Sequence, residues 1–159
     1  MPTRLCGFFI SHAFLHGIFF TNKGLHTMQL KLIKNTDMSA TLSYRIARVV
    51  YEQTGAETLH VVEALTSMIK NLSEKTGAEI SKIISDKTIF SDENKILNTA
   101  DNVNDRKFQM CVRVASRMLS GGLPDCCHGA TNFHHANVMP DWAIARGYID
   151  DVDGLLFYL

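Results

Sequence analysis

The sequence lacks an excess of charge of either sign: Lys+Arg and Asp+Glu both number 16 in 159 residues. That balance argues against a strongly electrostatic partner, so no nucleic acid and no anionic membrane surface is expected. A neutral polymer such as a glycan stays compatible with it. Also missing is any pair of cysteines at the C-x-x-C spacing of a zinc knuckle or a dithiol redox site. The four cysteines are Cys6, Cys111, Cys126 and Cys127, and the adjacent last two are poorly placed to bridge each other. Cysteine usage therefore does not fix a compartment. There is no internal repeat, no glycine-rich phosphate loop and no low-complexity run. The longest apolar stretch, residues 5–20 (LCGFFISHAFLHGIFF), falls short of the roughly 20 residues a membrane span requires.

That stretch is nearer in length to a signal-peptide core with Arg4 as a thin basic lead. His12 and His16 interrupt it, and no A-x-A-like cleavage site follows. Residues 1–37 are therefore read as a leader. It is a signal, an anchor or a non-native extension upstream of a start at Met28 or Met38. A signal would send the chain to the periplasm, cell envelope or extracellular space; otherwise a cytoplasmic or phage-delivered protein is expected. Any membrane association would run through this leader alone.

The remainder has the length of one domain. At 46% hydrophobic and 20% charged residues overall, the chain has the composition of a folded protein. Ser39 is the expected N-cap of a helix through Glu52, with Leu42, Ile46, Val49 and Val50 on one apolar stripe. Thr54 and Glu57 match a T-x-x-E capping box. It would start a second helix carrying Val61, Leu65, Met68 and Leu72, after a sharp corner containing Gly55. Gly77 closes the next turn, and Ile80, Ile83 and Ile84 mark a short third helix. Residues 91–106 are polar and read as a surface loop. Phe108, Cys111, Val112, Ala115 and Leu119 return to helical spacing, and Gly121, Gly122 and Pro124 stop that helix. Beyond Pro124, Thr131, Phe133 and Val138 are strand-prone, and residues 155–159 predict a second strand. The fold class expected is α+β, with helices first and a small β-rich part at the C-terminal end.

Two segments carry a resemblance. The first is ARVVYEQTGAE, residues 47–57, where Glu52, Gly55 and, further on, Asn71 stand in order. The second is PDCCHGATNFHHANVMPDWA, residues 124–143, in which Pro124, Asp125, Gly129, Ala130, Thr131, Phe133, Pro140 and Trp142 recur as a set. Gly154, Phe157 and Tyr158 then supply a glycine followed by an aromatic pair. Together these segments resemble the SleB-type cell wall hydrolases, whose best-known members degrade spore cortex. The resemblance runs over residues 42–159 and implies a cell wall hydrolase domain at 38–159. Departures from the family pattern are Tyr51 just before the acid, Leu72 after the Asn, Ile89-Phe90-Ser91 in the middle, and Cys126-Cys127-His128 before Gly129.

The resemblance implies a lysozyme-like helical domain that cleaves peptidoglycan glycan strands between N-acetylmuramic acid and N-acetylglucosamine, with no cofactor. Lytic transglycosylation is the expected outcome. One Glu protonates the leaving oxygen and then acts as base while the muramic 6-hydroxyl closes an anhydro ring. Ordinary glycosidases require two carboxylates; an internal hydroxyl nucleophile makes the second dispensable. The implied acid is Glu52. A general acid must keep its proton near neutral pH, which partial burial and the negative end of a helix both favour, and Glu52 is expected at such an end. Phe90, Ser91, Thr131, Phe133, His134 and Trp142 are the implied substrate-binding residues. For Phe90, Phe133 and Trp142 ordinary core packing is the competing role; for Asn71 it is ending a helix.

Two other readings stay open. One is a non-catalytic glycan-binding or virion-associated structural domain derived from the same family. The other is a zinc module built on Cys126, Cys127, His128, His134 and His135, residue types that zinc takes at a spacing that suits it poorly. The oligomeric state is not legible.

Overall fold

The computed structural model describes residues 41–91, 95 and 105–159. The chain divides into two units, Met1–Asn35 and Thr36–Leu159, and the described residues belong to the second. The expected leader, the expected cap Ser39 and most of the polar loop (92–94 and 96–104) lie outside them. None of the described helices is long and apolar enough to cross a membrane.

The fold is mixed α+β: among the described residues, four α-helices are followed by a small antiparallel sheet. Helix α1, Leu42–Thr54, is capped by Thr41, whose hydroxyl accepts from the Tyr44 N–H at 3.4 Å. It buries Ile46 and Val50 of the expected stripe together with Ala47, while Leu42 and Val49 are partly buried against the core. Gly55 at φ 60° and Ala56 at φ 48° then turn the chain through two left-handed positions. The expected capping box does not form. Thr54 is still helical and its hydroxyl bonds back to the Val50 carbonyl at 2.7 Å. An N-cap needs extended backbone, and that is found at Thr58 (φ −129°), which accepts from Val61 N–H at 3.2 Å. Glu57 pairs with Lys107 instead, at 2.8 Å.

Helix α2, Leu59–Thr76, is the central element; Val62, Ala64, Leu65, Met68 and Ile69 are fully buried. Gly77 closes it at φ 67°. A one-turn helix α3, Ile80–Ile83, follows. Helix α4, Arg106–Leu119, is capped by Asp105 and packs along α1 and α2. Tyr44 and Tyr51 of α1 meet Phe108 of α4 edge-on, at 5.0 and 5.6 Å. The Tyr51 hydroxyl donates to the Asp105 carboxylate. That bond, helped by burial, pushes the phenol up to about 12 and holds Asp105 below the usual carboxylate range. Burial pushes the Cys111 thiol up to about 12, so it packs as a small hydrophobe.

The sheet has strand order β1-β3-β2, where β1 is Asn132–His135, β2 Asp150–Val152 and β3 Leu155–Tyr158. Strands β2 and β3 are joined by Asp153 and Gly154, both at positive φ (50° and 81°), as a two-residue hairpin of primed type requires. A 3-10 turn, Asp141–Ala143, lies between β1 and β2. Val138, expected in a strand, sits in the turn after β1, where its N–H bonds to the His135 carbonyl at 2.9 Å. Pleating divides the sheet into two faces. Phe133 stands opposite Phe157 and, with His135 and Leu155, faces the helices; His134 and Tyr158 belong to the other side.

Candidate active site

Glu52 lies two residues before the end of α1, and its side chain is 13% exposed. Lys95 Nζ approaches one carboxylate oxygen at 3.0 Å and Arg48 Nε, one turn back on α1, the other at 3.7 Å. The next residue, Gln53, continues the buried stripe of Ile46 and Val50 and is itself buried. Its amide is satisfied on both sides. Oε1 accepts from His135 Nε2 at 3.2 Å, and Nε2 donates to the Ser91 carbonyl at 3.4 Å. These two bonds bring three separate stretches together: the last turn of α1, the segment around Ser91 and strand β1. Burial, with a smaller contribution from His134, holds the His135 imidazole below the ordinary histidine range.

The aromatic floor beneath this corner is closed. Phe90 and Phe133 meet at 5.7 Å and Phe133 reaches His135 at 6.0 Å. Both phenylalanines are buried. Of the two roles open to them, substrate binding and core packing, Phe90 and Phe133 show the second: they pack as core beside the strand that carries His135. The pleat decides this, because Phe133 points to the side of the helices.

His134 and Trp142 lie on the opposite face. In the neutral ring, His134 donates from Nδ1 to the His135 carbonyl at 2.9 Å, and its Nε2 accepts from the Tyr158 hydroxyl at 2.8 Å. It stacks on Tyr158 with centroids 5.3 Å apart, and Trp142 meets both rings edge-on. Trp142 remains 41% exposed. Thr131 is buried just before β1, its hydroxyl accepting from Lys75 Nζ at 3.3 Å. The seven expected site residues thus divide. Glu52, Phe90, Ser91 and Phe133 share the helix side of the sheet, His134 and Trp142 the outer side, and Thr131 stands at the start of β1.

Helix α2 fixes the turn that leads into β1. Asn71, expected to end this helix, lies inside it and acts as a tether. Its amide donates to Asp125 Oδ1 at 3.1 Å and to the Ala130 carbonyl at 3.3 Å. Asp125 in turn accepts from the N–H groups of Cys127 at 3.1 Å and Gly129 at 2.6 Å. Burial alone would raise the Asp125 carboxyl, but these bonds together hold it below the usual range. Ser67 accepts from Cys126 N–H and donates to the Pro124 carbonyl. The Pro-Asp turn is therefore anchored to α2 at both ends.

The Cys/His cluster disperses. Cys127 is buried against Asp125 and Asn71, and burial raises its thiol well above the usual range. His128 is exposed toward Asp150, and His134 and His135 serve opposite faces. Among the described residues no three His, Cys, Asp or Glu side chains converge as a metal site would require.

Sequence reasoning missed Gln53, Lys95 and Arg48, and weighed His135 only as a zinc ligand. A polar residue at an apolar-stripe position was the available signal for Gln53, and Arg48 stands one helical turn before Glu52. The two histidines at 134 and 135 had to serve opposite faces if residues 131–135 formed a strand. For Lys95 the sequence holds no such signal. No family model, curated protein or solved structure matches this chain.

Proposed function

We propose that this domain cleaves peptidoglycan glycan strands between N-acetylmuramic acid and N-acetylglucosamine, with Glu52 as a single general acid and base in a lytic transglycosylase of lysozyme-like fold. The observation that carries the reading is the Gln53–His135 hydrogen bond at 3.2 Å. It joins the two stretches whose motifs resemble the SleB-type hydrolases, although some eighty residues separate them (|i−j| = 82). Glu52 then stands at a corner built from both, on a rigid helix end rather than on a loop, as a proton donor that must hold its position requires. Proton delivery demands that Glu52 take up a proton and exchange its contact with Lys95 for one with the glycosidic oxygen, to which it gives that proton as the glycosidic bond breaks.

Digestion of purified sacculi followed by mass spectrometry tests this. Anhydro-muropeptides released by the wild type and not by Glu52→Gln are the expected result. Reducing-end products would assign hydrolysis instead. Equal release by both proteins would remove Glu52 from the mechanism.

A second reading has its own observation. The ion pairs of Glu52 with Lys95 and Arg48 are also what a carboxylate retained for structure would form. A glycan-binding domain without chemistry would bind sacculi equally well as wild type and as Glu52→Gln, and neither would release product.

A further inference from the structure

The outer side of the sheet carries a feature that the catalytic reading does not use. An open pocket of about 340 Å³ is lined by Arg146, Gly147, Ile149, Tyr158 and Leu159. Its volume falls at the small end of the range for ligand sites, about 300–1,000 Å³. The segment that supplies Arg146, Gly147 and Ile149 to its lining is rich in exposed apolar residues. Of the nine large hydrophobic residues exposed among the described residues, only Leu59 and Leu119 lie outside the 138–149 segment and Leu159. A concentration of this kind marks a contact surface more often than scattered single residues do.

The lining selects the chemistry. Arg146 is exposed, its backbone N–H bonds to the Ala143 carbonyl at 3.0 Å, and its guanidinium has no acidic partner among the described residues. A guanidinium fork matches a carboxylate with two parallel hydrogen bonds. Ile149 and Leu159 add aliphatic walls, which a bare inorganic anion would leave unused. A sugar ring is poorly served, because Tyr158 is buried, with His134 stacked on it and Trp142 against it edge-on. We propose that this pocket takes the free carboxylate end of a short peptide with small apolar side chains, the chemistry of the peptide stems on peptidoglycan strands. The assignment rests on the glycan-cleaving reading. It adds to it a recognition point on the other face of the sheet from Glu52, so that the domain selects strands bearing peptide stems.

Trp142 is the only tryptophan, and it touches Tyr158 of the pocket with centroids 5.2 Å apart, so intrinsic fluorescence reports occupancy. The probes are diacetyl-Lys-D-Ala-D-Ala and the same peptide with its C-terminus amidated, titrated into the full chain. A saturable change with the acid is expected. The amide should bind at least about tenfold more weakly, the loss of one charge-assisted contact of about 1.4 kcal/mol. Arg146→Met should bring the two probes level, and Arg146→Lys should keep part of the preference. Equal binding of acid and amide by the wild type, or no binding of either, overturns the proposal. The two readings fail separately. Glu52-dependent release from sacculi with a flat peptide titration removes the pocket and leaves the catalysis. Acid-selective binding with no Glu52-dependent release removes the catalysis and leaves a peptide-carboxylate site.

Discussion

His134 and His135 are neighbours on one strand, both nearly inaccessible to solvent, and they serve opposite faces of the sheet. His135 faces the helices, donates from Nε2 to Gln53 and belongs to the corner that holds Glu52. His134 faces outward, donates from Nδ1 to a backbone carbonyl and accepts from Tyr158. Their Nε2 atoms are thus used in opposite senses, donating in His135 and accepting in His134. On the inner face apolar rings close over the polar contact; on the outer face the aromatic cluster is left with Trp142 partly open. One short sheet therefore separates a sealed face that positions a candidate acid from an open face that meets a ligand. Substitutions on the sealed face will register as lost stability, and those on the open face as lost recognition.

The largest stability effect belongs to the inner face. Phe157 is fully buried against Phe133, and Phe157→Ala should cost about 3–5 kcal/mol in urea denaturation. His135→Ala comes next, at about 1–3 kcal/mol, because it leaves the buried Gln53 oxygen without its donor. Trp142→Ala should cost less than about 2 kcal/mol, since full burial of a large side chain contributes ~1.5–3 and this ring is 41% exposed. Equal losses for Phe157→Ala and Trp142→Ala would break the contrast between the faces.

A smaller effect sharpens the contrast through pH. Burial holds His135 below the ordinary histidine value, so the unfolded chain takes up that proton more readily than the folded one. The stability tied to neutral His135 is present above the unfolded value, about 6.5. It is lost as pH falls from there through the lowered folded value. The urea midpoint of the wild type should drop between about pH 8 and pH 5, and that of His135→Gln should drop less. Parallel curves for the two proteins would place the imidazole outside the buried network. Asp105 and Asp125, both held below the usual carboxylate range, lose their contributions at lower pH, which keeps the windows apart.

The helices were legible because their apolar residues recur at helical spacing: α1, α3 and α4 lie close to where the stripes put them. The corner after α1 was misread because T-x-x-E is a local pattern, whereas the start of α2 was decided by two left-handed residues, Gly55 and Ala56. Strand β2 was missed because Asp150 and Asp151 are polar and the strand is three residues long, although Asp153-Gly154 is a hairpin signal in its own right. At the candidate site, a glutamate near a helix end was visible in the sequence. The division of Phe133 from His134 required knowing that residues 132–135 are pleated against β3. The pairing of Lys95 with Glu52 joins residues with no shared local pattern, so only the folded chain reveals it.

Glu52 carries the proposed chemistry. The measurement that meets it most directly is the rate of muropeptide release by Glu52→Gln relative to wild type, taken on sacculi at equal folded fraction by denaturation. Loss of a positioned general acid predicts a fall of about 100-fold or more at that equal folded fraction. A rate for Glu52→Gln equal to that of the wild type would contradict the assignment of Glu52 as the acid.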